Sequence, residues 1–311
     1  MLKKITFIGI IILLNLLSYS CEDKHANDTD LIFIDENSIQ DSIHESDNKK
    51  NDKSLEVAIA AMTSPNETYS YYGQLLQYIS KKINKPVHIV QRKTYDEVNQ
   101  LLIDGKVDIA FICSGAYITA LEKKLPIEIL TIPIIDKKSY YHAYLIANSE
   151  SSFLEFKDLK NKNFAYTDPL SNTGYLYAKY LIKKNNYIEK DFFAKTIFTY
   201  GHDYAIQAVE RKIVDGACVN SLIFDYIKKK YPERIQNVKI VQKSEPFGIP
   251  PIVVRKNLDS SIKTELRSIF SSIHLDSIGA NLLKKLLIDK YSEPKNTDYS
   301  SILEKSKFVG K

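Results

Sequence analysis

From residue 55 onward, apolar and polar positions fall into a repeating strand–helix rhythm. Residues 55–61 read as a buried strand, after which Tyr72, Leu75, Leu76, Ile79 and Ile83 recur at helical spacing. Residues 86–90 predict a second strand. Thr94, with Glu97 three positions on, makes a capping box that opens a helix through Ile103. Residues 107–113 predict a buried strand, and Ser114-Gly115 turns it into the next helix. Later, 163–167 and 250–255 predict strands, while 175–184 and 258–273 predict helices. Strands alternating with helices imply an α/β fold of mostly parallel sheets flanked by helices.

Sliding the chain by 107 positions exposes an internal repeat. Residues 95–100 align with 202–207, Val107-Asp108 with Val214-Asp215, and Ser114 with Ser221. Helix and strand registers agree as well, which favours two lobes of related architecture over chance. The expected organisation is lobe 1 from 54–143 and 246–295, lobe 2 from 148–240, and a tail at 296–311. Two chain crossings, near 143–148 and 240–246, would form a two-strand hinge. Ligands of such folds bind in the cleft at the carboxyl ends of the strands.

The first residues read differently. Lys3 and Lys4 precede thirteen largely apolar residues, 5–17, which is the layout of a signal peptide over 1–20. Cys21 follows small residues as in a bacterial lipoprotein box, although Ser18 stands where that box prefers leucine. The choice lies between lipidation at Cys21 and an ordinary signal with an incidental thiol. Lipidation is favoured, because an unpaired exposed thiol is a liability on an exported protein. Residues 22–53 hold ten acids against four lysines and predict a flexible tether, with 31–34 as an isolated apolar patch. The net charge of +5 therefore hides a leader of +2, a tether of −6 and a domain over 54–311 of +9. A basic domain attracts anions without saying where they bind.

The chemistry concentrates at 168–174, Asp-Pro-Leu-Ser-Asn-Thr-Gly, between a predicted strand and a predicted helix. Pro169 ends the strand, and Gly174 lets the backbone approach whatever lies above it. Ser171 and Thr173 offer hydroxyls beside the positive pole of the helix, a cradle suited to a tetrahedral oxyanion. Taken alone, the same residues are better explained by simple helix capping. Asp108 and Asp215, at strand ends, are expected to hold backbone donors, since they would repel an anion.

Together with Gly201-His202-Asp203 and the pair Val107-Asp108 and Val214-Asp215, this loop resembles one family. It is the phosphate/phosphite/phosphonate substrate-binding proteins of ABC transporters, in the type 2 periplasmic-binding fold. The resemblance spans roughly 54–295 and differs in placing Thr173 where the family more often has serine. It implies that Ser171, Asn172 and Thr173 grip the anion from lobe 2 and that His202 donates a further hydrogen bond. From lobe 1 the matching aromatics are Tyr95 and Tyr141. Ser114 is a further donor and Tyr117 an aromatic wall. Tyr95 and His202 are also partners in the internal repeat, a convergence independent of the family. Where relatives that take an amine-bearing phosphonate carry carboxylates, this chain has Asn220-Ser221-Leu222 and Phe247-Gly248-Ile249-Pro250. The expected ligand is therefore phosphate, phosphite or a small alkylphosphonate. The implied partners are an ABC permease and, through the lipid, a membrane.

Other chemistries lack their residues. The six histidines and three cysteines show no zinc-type spacing, and no nucleophile elbow or Walker loop occurs. No cofactor and no nucleic-acid partner are expected. Cys113 and Cys218 read as buried thiols, with a disulfide between them as the lesser alternative. Two other functions stay open at this level: an enzyme on the same fold using Cys113 or His202, and a sensory receptor domain.

Overall fold

The structure, a computed structural model, describes residues 54–294 and 299–310. The expected signal segment over 1–20, Cys21 and the expected tether over 22–53 lie outside the described residues, as do 295–298 and 311 of the expected tail. The chain begins with β1 (Leu55–Ala60), α1 (Pro65–Ile83), β2 (Val87–Arg92), α2 (Tyr95–Ile103), β3 (Ile109–Phe111) and α3 (Ser114–Glu122). Next come β4 (Ile127–Ile134), β5 (Tyr140–Tyr141), β6 (Ala143–Asn148) and β7 (Asn163–Tyr166). A π turn over Asn172–Leu176 leads into α4 (Tyr177–Lys184), followed by α5 (Glu189–Phe192), β8 (Lys195–Phe198) and α6 (His202–Glu210). Then follow β9 (Gly216–Asn220), α7 (Ser221–Lys230), β10 (Val238–Lys243), β11 (Phe247–Gly248) and β12 (Ile252–Arg255). The described chain ends with α8 (Ser260–Ser272), α9 (Ser277–Leu286), β13 (Lys290–Ser292) and α10 (Ser300–Gly310).

Two larger sheets result, ordered β13-β4-β12-β3-β1-β2 and β10-β6-β9-β7-β8. In each, the strands joined through helical crossovers are parallel: β2-β1-β3 in the first and β8-β7-β9 in the second. The remaining pairings are antiparallel because β12, β13 and β6 run against the other strands, so each sheet is mixed, with most of its strands sharing one direction. The reason is direction. Hydrophobic alternation marks a strand but not its sense, and chain arriving from the other half enters its sheet from the opposite end.

The hinge also sits a few residues from its expected place. Residues 143–148 and 238–243 are paired strands of the second sheet, held against each other and against β9. The halves are joined instead by the antiparallel ribbon β5–β11, with Phe247 opposite Tyr141 and Gly248 opposite Tyr140. Apolar pattern marks a strand but not the sheet it joins, so it could not mark where pairing changes sheets.

The internal repeat is a structural one. In each half a helix, a buried strand and a second helix follow one another: α2-β3-α3 and α6-β9-α7. The paired aspartates do the same work. Asp108 accepts from the backbone N–H of Glu56 at 3.1 Å, and Asp215 from that of Asn163 at 2.8 Å. Asp108 additionally pairs with the Arg255 guanidinium at 2.8 Å.

Three apolar clusters hold the layers together. One lies under α1, α8 and α9 and centres on Leu75, Ile79, Leu266 and Phe270. A second lies under α6 and α7, around Ile206, Val209 and Phe224. The third runs through both halves, from Ala58, Tyr95 and Ala110 to Leu145, Phe164 and Cys218. The expected tail is largely the helix α10. The Tyr299 hydroxyl, just before it, donates to the Ile249 carbonyl at 2.9 Å, and Lys305 pairs with Glu245.

Candidate functional site

Tyr95 and His202 each occupy the first position of a helix whose preceding loop faces the other half. A first-turn N–H has no partner within its own helix, and here both find one across the cleft. The Tyr95 N–H donates to Asp168 Oδ2 at 3.0 Å, and the His202 N–H to the Met62 carbonyl at 2.9 Å. Asp203 accepts the Ser64 N–H with both carboxylate oxygens, at 3.1 and 3.0 Å. Burial pushes the carboxyls of Asp168 and Asp203 upward, and the backbone donors they hold oppose that shift. Neither acid was singled out from sequence as a cross-cleft clasp; the shared spacing of 95 and 202 was the available signal.

The side chains at this junction are buried: Tyr95, Ser114, Tyr141, Ser171, Asn172, Thr173 and His202 all have at most 1% of their surface exposed. Several carry a polar atom without a partner, namely the Tyr95 hydroxyl, Asn172 Oδ1, Thr173 Oγ1 and His202 Nε2. Buried polar groups are nearly always hydrogen-bonded, so such a grouping asks for a polar guest. His202 shows the logic most fully. Its Nδ1 accepts the Asn220 N–H at 3.1 Å, which puts the proton of the neutral ring on Nε2. Burial holds the imidazole neutral, with its pKa lowered to about 3. What remains is a fixed, uncharged N–H donor.

The loop 168–174 is arranged by its own residues. Asp168 Oδ1 accepts the Leu170 N–H at 2.7 Å, and the Ser171 hydroxyl accepts the Gly174 N–H at 3.0 Å. Ser171 is thus a cap, whereas Thr173 is not committed. Asn172 donates its amide to the Tyr141 hydroxyl at 3.1 Å. The two ends of an amide have nearly the same shape; turned over, its N–H group would face the unpartnered donors. Gly174 serves a purpose other than the expected one. A Cβ there would lie 1.9 Å from Thr167 Oγ1, so its bareness makes room for Thr167, the residue that follows β7. Gly115 likewise lets the start of α3 touch the loop, since a Cβ would lie 2.2 Å from the Leu170 carbonyl and 2.6 Å from the Asn172 nitrogen.

Ser114 and Tyr117 sit otherwise than the sequence suggests. The Ser114 hydroxyl donates to the Gly248 carbonyl at 2.7 Å, tying α3 to the hinge ribbon. The Tyr117 ring packs edge-on against Tyr299, with centroids 4.9 Å apart, and forms no wall of the site. Cys113 caps α3 instead of ending the strand, and Cys218 lies within β9; both are free thiols. Alternation breaks down at the last residue of a buried strand, so pattern alone did not place Cys113. With Nδ1 of His202 held by backbone, the imidazole is not set up as a base for that thiol.

Beside the site runs a groove of about 710 Å³, walled by Met62 and Tyr72 from one half and by Asn220, Leu222 and Asp225 from the other. The stretch 220–222 and Pro250 bring no acid to it, as the sequence suggests. Asp225, one turn further along α7, does line it, as do Asp136 and Asp289; Asp225 accepts the Tyr144 hydroxyl at 3.1 Å, Asp136 accepts from Lys138 at 2.9 Å and Asp289 from the Lys137 N–H at 2.7 Å.

Comparison with known proteins agrees with this geometry. Residues 57–299 match the family model described as ABC transporter, phosphonate, periplasmic substrate-binding protein. The chain is 27% identical over 226 residues to the phosphonates-binding periplasmic protein of Escherichia coli K12, covering 71% of this chain and 67% of that one. It is 26% identical over 185 residues to the phosphate-import protein PhnD of Mycolicibacterium smegmatis, covering 56% of each. Among solved structures, a binding component of a Pseudomonas aeruginosa ABC phosphonate transporter superposes with a TM-score of 0.78 at 25% identity, covering 83% of this chain and 87% of that one. PhnD1 of Prochlorococcus marinus, in complex with methylphosphonate, shares the fold with a TM-score of 0.74 at 17% identity, covering 83% and 98%. These proteins bind substrates for transport and are not enzymes, and the two-sheet architecture is the type 2 periplasmic-binding fold. The chain belongs to the phosphonate periplasmic substrate-binding family of ABC transporters.

Proposed function

We propose that this protein captures a phosphorus oxyanion, namely phosphate, phosphite or a small alkylphosphonate, between its two halves and delivers it to an ABC permease. The lobes of the proposal follow the two sheets, joined by the ribbon β5–β11. One observation carries it: Tyr95, Thr173 and His202 hold unpartnered buried donors where both halves meet. Neutral, preoriented donors suit an oxyanion, because they stabilise its charge without bringing a counter-charge that water must first release. Closure of the halves would exclude water and strengthen each bond.

In this reading Ser171 and Asn172 shape the loop that presents Thr173, and Tyr141 orients Asn172. Ser114 supports the hinge and contributes to the site through position. An uncharged substituent fits best. The groove beside the donors opens on Asn220, Ser221, Leu222 and Pro250, and its carboxylates, Asp225, Asp136 and Asp289, are already engaged by Tyr144, Lys138 and the Lys137 N–H. Lipidation at Cys21, after removal of 1–20, would tether the domain to the membrane from which its permease opens.

Calorimetry with phosphate, phosphite, methylphosphonate and 2-aminoethylphosphonate tests the chemistry. Binding of one of the first three, tighter than 2-aminoethylphosphonate, is expected. Tighter binding of the amine-bearing ligand would remove the assignment of an uncharged substituent. Absence of binding by all four would remove the function. Mass spectrometry of the membrane-extracted protein checks for diacylated Cys21 at its N-terminus.

A further inference from the structure

An acid beside an oxyanion site works against it, because its charge repels the ligand. Asp203 nevertheless follows His202 directly in sequence, and its carboxylate is turned to the other half of the molecule. Both of its oxygens accept the Ser64 N–H, at 3.1 and 3.0 Å. Ser64 is the N-cap of α1, a helix of 19 residues, and its side chain makes no capping hydrogen bond. The carboxylate from α6 therefore stands at the positive pole of α1, where the local cap supplies nothing. The first turn of α6 is completed in the same way. Its own N-cap, Gly201, has no side chain to offer, and the His202 N–H goes to the Met62 carbonyl at 2.9 Å. The bareness of Gly201 also leaves room for the acid, since a Cβ there would lie 2.8 Å from Asp203 Oδ1. Asp168 crosses the cleft too, to the Tyr95 N–H at 3.0 Å, but its other oxygen holds the Leu170 N–H of its own loop. Asp203 is thus the clasp that can be changed without undoing the loop.

We infer that Asp203 is a positioning residue for anion capture: it latches the two halves over the ligand and sets how long the anion stays, without selecting which anion enters. The inference rests on the proposed oxyanion function. The hydrogen bonds of Asp203 to Ser64 span the halves, so they exist only where the halves meet. Their contribution is added to the closed arrangement, and with it to every ligand held there. A group that stabilises closure without touching the ligand slows release. It leaves the first encounter, made with the halves apart, as fast as before. The repulsion between the carboxylate and a nearby anion is offset by the α1 pole and the backbone donor that the acid engages.

Calorimetry and stopped-flow kinetics of the full chain with phosphate, phosphite and methylphosphonate test this in the wild type, Asp203→Ala, Asp203→Asn and Ser64→Pro. Ser64→Pro deletes the donor from the opposite half, and the Ser64 φ of −55° is one that proline adopts. Asp203→Ala should weaken every anion that binds by a common factor of about tenfold. The loss should lie in faster release, with association and stoichiometry unchanged. Asp203→Asn keeps one acceptor oxygen and should recover part of it. Ser64→Pro should match Asp203→Ala, and the double variant should lose no more than either alone. Unchanged affinity in Asp203→Ala, a loss confined to association, or one that differs between anions overturns the inference and leaves the oxyanion function standing. Additive losses in the double variant overturn it as well. Should Asp203→Ala fail to fold, Ser64→Pro carries the same test from the other half. If none of the three anions binds the wild type, the function itself fails and this inference with it.

Discussion

The sharpest difference between two neighbouring hydroxyls of the site is between Thr173 and Ser171. The Thr173 hydroxyl is buried and has no partner, whereas the Ser171 hydroxyl accepts the Gly174 N–H at 3.0 Å. Thr173→Val removes one hydroxyl and keeps the shape. Because that hydroxyl makes no bond within the protein, its loss should leave the ligand-free domain as stable as before or slightly more so. A hydrogen bond to a charged partner contributes about 1.5–3 kcal/mol, so affinity for the anion should fall by about 10- to 150-fold. Ser171→Ala should do the opposite. Losing a cap costs about 1 kcal/mol of stability, and affinity should fall less than in the valine variant. Urea denaturation without ligand and calorimetry with it separate the two. Unchanged affinity in Thr173→Val would refute the assignment, and so would a large loss of ligand-free stability, since that would make the hydroxyl structural.

Two further outcomes follow from the same geometry. His202 has its pKa lowered to about 3 by burial, below the ordinary value of about 6.5 that the unfolded chain would have. The unfolded state therefore takes up a proton that the folded state refuses. Stability is at its full value above pH 6.5 and falls by about 1.4 kcal/mol per pH unit below it, toward pH 3. Asp168 and Asp203, raised by burial, act in the opposite sense, so the loss of stability between pH 7 and 5 should shrink in His202→Gln, as read from urea midpoints. In Gly115→Ala, the new methyl would meet the Leu170 carbonyl and the Asn172 nitrogen, both backbone atoms of the opposite half. Overpacking of this kind costs about 1–3 kcal/mol and should appear as weaker anion binding and a larger radius in solution scattering, with helix content unchanged; wild-type affinity would show that the halves need not meet there.

The site was legible in part because its residues do two jobs at once. Thr94 and Glu97 announce the start of α2, and the capping box is present. The equivalent position in the repeat led to His202, so both cleft-facing helix starts could be read without knowing what they face. The loop 168–174 stood out through Pro169 and Gly174, yet its internal division of labour did not. Nothing in the sequence says that Ser171 is spent on the loop while Thr173 is open, or that Ser114 is held by Gly248.

Sequence alone determined the local elements, the repeat and the candidate residues for an anion, since periodicity, capping and turn chemistry act over a few residues. The separate charges of residues 1–21, 22–53 and 54–311 were readable in the same way. Tertiary structure decided the rest. Strand direction made both sheets mixed, and pairing moved the hinge to the ribbon of Tyr140–Tyr141 with Phe247–Gly248. Contact between distant segments decided which polar atoms are satisfied and which are left open. That last distinction is a property of the whole fold, because a hydroxyl becomes a binding group only when burial removes its water and no other residue replaces it.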